Sequence, residues 1–350
     1  MALHADIAVM RDRFTLEVTL NAENGETIGL LGPNGSGKST ALRVLAGLLP
    51  LSGGRVELDG EVLDDAAEGV FVPPGRRAVG MVFQNYVLFP HLTALDNVAF
   101  GPRARGVPRP IARQRAEEWL RKVDVGAQFD VRPGSMSGGQ AQRVALARAL
   151  ITEPRLLLLN EPFAALDVST RLQVRAQLRH HLVDYPGVAV LVTHDPMDAM
   201  AVADRLLVLE DGHVVQEGLP TEIAQRPRTE YVARLVGVNL YRGTARGNTV
   251  DLVDGGTLTT TEPGTGHVLL AFEPNAVSLH RTQPNSSLRN TWPVHVRDLE
   301  ERGNATRVRL TGHPDVLADI TPDAAADLDL TPGTSLWAGL KATAIRNYPA

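Results

Sequence analysis

One stretch constrains this chain more than any other: Gly32-Pro33-Asn34-Gly35-Ser36-Gly37-Lys38-Ser39-Thr40 sets glycines, a lysine and hydroxyls at the spacing G-x-x-x-x-G-K-[ST]. Glu26 to Leu31 reads as a short buried strand before it, and Ala41 to Ala46 has helical apolar spacing after it. A strand-loop-helix of this kind makes an anion site from the turn's amides and the helix N-terminus. Gly32, Gly35 and Gly37 let the backbone curl closely around phosphate. Lys38 would place a compact charge on the β- and γ-phosphates, and the Ser39 hydroxyl would bind Mg²⁺. Lysine usage adds to this, because Lys occurs only at 38, 122 and 341 among 35 basic residues. A chain that otherwise favours Arg keeps Lys38 where a planar guanidinium will not replace a point charge, and the same logic marks Lys341.

Composition bounds the rest. A length of 350 residues predicts two domains, or one large one with an appendage, and a hydrophobic fraction of 43% allows a sizeable core. A net charge of −5 argues against nucleic acid as partner. With no cysteine, disulfides, thiol catalysis and zinc-cysteine sites are excluded. The first residues lack the features of a signal peptide, and no apolar run approaches the roughly 20 residues that span a bilayer.

Along the chain, residues 3 to 20 alternate apolar and polar, as half-buried antiparallel strands do. Strands follow at 53–60 and 79–83, with the loop Pro73-Pro74-Gly75-Arg76-Arg77 between them, and the texture turns helical from Asn85 to Leu150. Ser137-Gly138-Gly139-Gln140 opens a helix with Ser137 as N-cap and exposed amides, a second anion site. Leu156 to Leu159 is a buried strand carrying Asn160-Glu161-Pro162 at its C-terminal end, where ligands bind in open α/β sheets. Residues 188 to 193 repeat that pattern and end at His194-Asp195, and a hairpin with a tight turn at Asp211-Gly212 follows.

Gly32 to Thr40, Gln84, Ser137 to Gln140, Leu156 to Glu161, Ala165-Leu166-Asp167 and His194 resemble, in order and spacing, the ATP-binding-cassette ATPases. The resemblance covers residues 1 to about 236. Pro73 to Arg77 and Phe83 to His91 look like the ATPase subunits of bacterial solute importers, most of all molybdate importers. It implies an α/β phosphate-loop ATPase domain, residues 1–236, with a helical subdomain at about 85–152. It also implies that two copies pair head to tail, each ATP lying between one phosphate loop and the partner's Ser137, Gly138, Gly139 and Gln140. By the same resemblance Glu161 is the general base, His194 the switch contacting γ-phosphate, and Gln84 the link between Mg²⁺, water and the transmembrane permease subunits. Asp167 would lie at the dimer interface. The family has Asp where this chain has Asn160, which keeps a carbonyl oxygen and loses a charge beside Mg²⁺. For adenine, Phe14 continues the apolar alternation as a core residue, which leaves Arg11 or Arg13 to stack on the base.

From Gly237 the texture is rich in glycine, threonine and valine, with short strand-like runs that suggest a small all-β, OB-like barrel domain over 237–350. Residues 288–348 resemble the barrel module of molybdate-importer ATPases. Ser287, Arg289, Asn290, Lys341 and Thr343 would supply donors to a tetrahedral oxyanion, or the domain would serve dimerisation alone. The reading is thus an importer ATPase using ATP and Mg²⁺, partnered by a second copy and by permease subunits, with an extracytoplasmic substrate-binding protein upstream and the chain peripheral to the cytoplasmic membrane face. Sulfate, iron(III), polyamine and sugar importers are alternatives, as is a regulatory protein whose hydrolysis Asn160 impairs. A soluble cassette acting on DNA or ribosomes fits less well, because the chain has one cassette and no heptad stretch.

Overall fold

The structure, a computed structural model, describes residues 2–11, 14–164 and 166–350, with Val168 as backbone only. The chain forms two compact units, Met1–Thr221 and Glu222–Ala350.

In the first unit β1 (Leu3–Arg11) and β2 (Phe14–Ala22) pair antiparallel, their inward residues alternating as the sequence predicts. The wholly buried β3 (Thr27–Leu31) leads through the glycine-rich loop into α1 (Lys38–Leu45). Strands β4 (Gly53–Leu58), β5 (Glu61–Asp65) and β6 (Val70–Phe71) extend the antiparallel end of the sheet through the β1–β4 pair. After β7 (Val79–Val82) come α2 (Ala94–Ala104), α3 (Arg109–Lys122) and α4 (Gly138–Leu150), which share an apolar core of their own. The chain returns through β8 (Leu156–Asn160), α5 (Val168–Val183), β9 (Val188–Val192) and α6 (Pro196–Val202), and ends the sheet with the hairpin β10 (Arg205–Glu210) and β11 (His213–Gly218). Among the described residues the sheet has eleven strands in the order β6-β5-β4-β1-β2-β11-β10-β3-β9-β8-β7. The five from β10 to β7 run parallel and are nearly continuous apolar runs, as strands covered on both faces are.

Two local features depart from the sequence reading. Residues 85–93 are irregular and helix begins at Ala94, because Thr93 Oγ1 accepts from the Asp96 amide at 3.2 Å and caps α2 there. The buried Asn97 carboxamide then takes up the loop's polar groups, accepting from Phe89 N at 2.8 Å and donating to the carbonyls of Phe89, Leu92 and Thr93. The second is Arg77, which ends the loop that begins at Pro73 and is buried, its side chain 0% exposed. Its guanidinium donates to the carbonyls of Val44, Leu45, Leu63 and Val72 at 2.7–3.1 Å and reaches Asp64 at 3.4 Å. It thereby ties the end of α1 to the antiparallel strands. Burial pulls the Arg77 pKa down and pushes that of Asp64 up, each partly offset by the other's charge.

In the second unit α7 (Pro220–Gln225) and α8 (Glu230–Val236) precede β12 (Asn239–Leu252). The division falls before the change of texture at Gly237 because this helical segment is bound to the β domain: Tyr348 Oη donates to Pro227 O at 2.6 Å. The long hairpin of β12 with β13 (Thr257–Phe272) joins β19 (Arg346–Pro349) in one sheet. A second sheet has the order β14-β18-β15-β16-β17, formed by β14 (Val277–His280), β15 (Asn290–Arg302), β16 (Ala305–Gly312), β17 (Val316–Ile320) and β18 (Ser335–Leu340). Both contribute to one apolar core, with α9 (Pro322–Asp327) between β17 and β18. Among the described residues no helix is long and apolar enough to cross a membrane.

Arg77→Met should leave four backbone carbonyls and Asp64 buried without their donor, lowering unfolding free energy by about 3–5 kcal/mol. Arg77→Lys, with fewer donors and no fork, should recover less than half of that in urea denaturation.

Candidate active site

Three parallel strands deliver the site. β3 runs into the glycine-rich loop; β9 pairs with β3, and β8 with β9, so that Leu30 lies opposite Val192 and Val192 opposite Asn160. Their C-terminal ends therefore place Gly32, Glu161 and His194 along one edge.

Gly37 precedes α1 with φ of 103°, and a Cβ there would run into the Leu16 side chain. Only glycine fits. Helix α1 then begins at Lys38, so the helix N-terminus and the amides of the preceding turn share one pocket. Lys38, only 6% exposed, folds back over the loop and donates to Gly32 O and Pro33 O, both at 2.8 Å, with Ser36 Oγ at 3.5 Å. Burial lowers its pKa, and the negative charge of Glu161 works in the opposite direction. Asn34, Gly35 and Ser39 face solvent, Pro33, Gly37 and Thr40 are half-buried, and Ser36 is buried. Beside the loop is a cavity of about 430 Å³ lined by Phe14, Thr15, Pro33 to Ser36, Asp211 and His213. Phe14 thus has two roles, packing on the sheet core and against Gly37 while presenting ring surface to this cavity. Arg11 is exposed at the end of β1, and Arg13 lies outside the described residues, as does Ala165.

Glu161 sits just past β8 with φ of 50°, a left-handed backbone that a carboxylate residue adopts at a cost. Its Oε2 lies 2.6 Å from Nδ1 of His194, which is more than half exposed. His194 is steadied from behind. Arg171 on α5 pairs with Asp195 at 2.8 Å and with the buried Asp198 on α6, so the residue after His194 is anchored to the helix that Asp167 starts. Asp167 is exposed and N-caps α5, accepting from Ser169 Oγ at 2.6 Å and Thr170 N at 3.0 Å. Those hydrogen bonds hold its carboxyl well below the usual carboxylate range.

Asn160 ends β8, and its Oδ1 is buried and accepts no hydrogen bond among the described residues. Such an acceptor is costly unless a donor arrives from outside. Gln84 is exposed on the turn after β7, and Ser39 is exposed in the first turn of α1. Hydroxyl, carboxamide and the orphaned carbonyl oxygen are the hard donors a small divalent cation takes when phosphate and water complete its shell.

Ser137 and Gln140 open α4 as a capping box: Ser137 Oγ accepts from Gln140 N at 3.3 Å, and Gln140 Oε1 from Ser137 N at 2.9 Å. Ser137 and Gly138 are exposed, while Gly139 is buried against Thr170, where a Cβ would come within 2.9 Å of the Thr170 methyl. The cap leaves the first residue of α4, Gly138, exposed at the helix N-terminus. Sequence reasoning missed Arg171 and Asp198, whose pairing depends on helix positions that spacing alone does not reveal.

In the second unit, Asn290 lies opposite Leu340 in the β15–β18 ladder, which brings residues 287–290 beside 340–343. Ser287, Arg289, Lys341 and Thr343 are exposed there. Asn290 is buried and fully engaged, accepting from Thr259 N at 2.6 Å and donating to Thr259 O at 3.0 Å and Leu340 O at 3.3 Å. It acts as a clamp on the sheets rather than as a free donor.

Comparison with known proteins agrees with this geometry. Residues 16–164 match the ABC transporter family and residues 286–346 the TOBE domain family. The molybdenum import ATP-binding protein ModC of Mycobacterium tuberculosis (strain H37Rv) is 41% identical over 98% of this chain and 96% of its own length. The chain belongs to the ABC transporter family. The molybdate/tungstate import ATP-binding protein WtpC of Pyrococcus horikoshii is 32% identical over 95% of both chains. The spermidine/putrescine import ATP-binding protein PotA of Acidothermus cellulolyticus is 46% identical over 63% of this cassette protein and 56% of its own length. Among solved structures, the ATP-binding cassette MJ0796, a dimer in a post-hydrolysis state bound to ADP and Pi, aligns with a TM-score of 0.53 and 31% identity, covering 63% of this chain and 99% of its own.

Asn160→Asp should give the orphaned site a charge and lower the Mg²⁺ concentration for half-maximal hydrolysis by about tenfold. Titration of Mg²⁺ at saturating ATP measures it, and superimposable curves for the two proteins would sink the idea.

Proposed function

We propose that this chain is the ATP-hydrolysing subunit of a membrane importer for molybdate or a similar oxyanion. The observation that carries the substrate is coverage: ModC and WtpC align through both units, whereas the PotA match spans less than two thirds of the chain. The cassette alone is shared among importers of unlike solutes, so likeness that continues through the β domain is what separates them.

In this reading the triphosphate lies on the loop from Gly32 to Thr40, displacing Lys38 from the carbonyls it now caps and giving its charge a phosphate partner. The base takes the cavity beside Phe14. Mg²⁺ would be held by Ser39 and Gln84, with Asn160 behind its water shell, and would neutralise charge on the phosphates. Glu161, oriented through its 2.6 Å contact with His194, polarises the attacking water. His194 contacts the γ-phosphate from the other side. A second copy, packed head to tail, supplies Ser137, Gly138 and Gly139 to the same phosphate, with Asp167 of each copy at the interface. The pair would work beneath permease subunits at the cytoplasmic membrane face, fed by an extracytoplasmic binding protein. Ser287, Arg289, Lys341 and Thr343 would take up oxyanion on the surface that Asn290 holds in register. Asn160 favours a second reading, a nucleotide-gated regulator with slow turnover.

Glu161→Gln should cut hydrolysis by about 10² to 10⁴-fold and leave ATP affinity within about twofold. Unchanged hydrolysis in that variant would remove Glu161 as base, and a parent that binds ATP without turnover would favour the regulator. In vesicles carrying the permease and binding protein, molybdate uptake should need ATP and stop in Glu161→Gln. Calorimetry of the full chain with molybdate, tungstate and sulfate should show binding that Lys341→Ala abolishes; no heat with any of them would reduce the β domain to dimerisation.

A further inference from the structure

We propose that Arg148, near the end of α4, is a positioning residue that sets the conformation of the Gln84 loop. Its guanidinium donates to Tyr86 O at 2.9 Å and Val87 O at 2.8 Å, and lies 5.5 Å from the centroid of the Phe89 ring. Burial pulls its pKa down, and among the described residues no carboxylate pairs with it. A desolvated cation that spends itself on two backbone carbonyls adds little stability by itself, so its use points to the loop it holds.

That loop is in an uncommon state. Tyr86 and Val87 are both left-handed, at φ of 59° and 43°. For a β-branched residue this is a true outlier, and Val87 is 57% exposed, so packing does not compensate it. Two successive helical-type residues point their carbonyls the same way, whereas extended residues alternate. The planar fork of Arg148 bonds both carbonyls in this conformation and so favours it. On the far side Asn97 fixes Phe89. Gln84 lies two residues before Tyr86, so the fork decides where it stands at the sheet edge. Arg148 also sits on the helix that Ser137 opens, 13 residues or about 20 Å long, so displacement at that end is transmitted to Gln84 through one rigid element. The inference rests on the ATPase reading above and assigns Arg148 a role through the Gln84 loop.

The test is steady-state hydrolysis and ATP affinity of the full chain as parent, Arg148→Ala, Arg148→Lys, and Arg148→Ala with Val87→Gly. Arg148→Ala should lower kcat by about tenfold or more with the dissociation constant for ATP changed less than twofold, and Arg148→Lys, which reaches one carbonyl, should fall between. Glycine at 87 enters the left-handed state without the strain valine carries there, so the double variant should recover at least about a third of the lost rate. A kcat for Arg148→Ala within twofold of the parent overturns the proposal. So does parallel loss of affinity and rate that Val87→Gly fails to relieve, which is plain structural support. If Arg148→Ala does not fold, Arg148→Gln with and without Val87→Gly answers the same question. A parent without hydrolysis refutes the ATPase reading and any role of Arg148 in turnover together, whereas an active parent with an active Arg148→Ala refutes this inference alone.

Discussion

The parallel register of β7, β8, β9, β3 and β10 is the constraint on which the site depends. Val82 lies opposite Leu159, Leu159 opposite Leu191, Leu30 opposite Val192, and Val208 opposite Leu31. Because these strands end almost level, whatever follows each of them emerges at one edge, with Gln84, Asn160 and Glu161, His194 and the phosphate loop side by side. A slip of one residue would exchange the side chains packed on the two buried faces, so the packing that buries the sheet also fixes which residues stand at this edge. Core packing and site geometry are here the same specification.

What was legible in the sequence was what local pattern encodes. The leucine run of β8, the alternation of β1 and β2, the Asp211-Gly212 hairpin and the Ser137 cap could each be read from a few neighbouring residues. What was not legible depends on partners far along the chain. Arg77 reads as the end of a loop of proline, glycine and arginine, and its burial is intelligible only once Val44, Leu63 and Asp64 surround it. Asn290 looks like an oxyanion donor until Thr259 and Leu340 claim its carboxamide. Left-handed backbone at Glu161, Tyr86 and Val87 has no glycine to announce it, because the surrounding structure imposes it. These misses cluster where tertiary contacts overrule local preference, and two of the three left-handed residues flank the site.

The two ends of α4 show how few residues join local chemistry to the rest of the fold. Its first turn offers amides outward, and its last turn places a guanidinium on the Gln84 loop. On the other side of the site α5 does the equivalent: Asp167 caps its start, and one turn later Arg171 holds Asp195 and Asp198 behind His194. Each helix that starts at an exposed cap therefore carries an arginine that grips a loop at the sheet edge.

Asn160 acquires its meaning within this electrostatic setting. Lys38 is desolvated, which lowers its pKa, and the charge of Glu161 works against that. An aspartate at 160 would add a second negative charge at the strand end and favour the protonated lysine more strongly. With asparagine at 160, Glu161 faces Lys38 and His194 without a second carboxylate from that position, and Asn160 Oδ1 accepts no hydrogen bond among the described residues. The unloaded site is thus less negative than two carboxylates would make it, which eases the approach of a triphosphate while weakening the hold on its cation. Attraction of an anion and retention of a cation are set against each other at this single position, with the Glu161 carboxylate beside it.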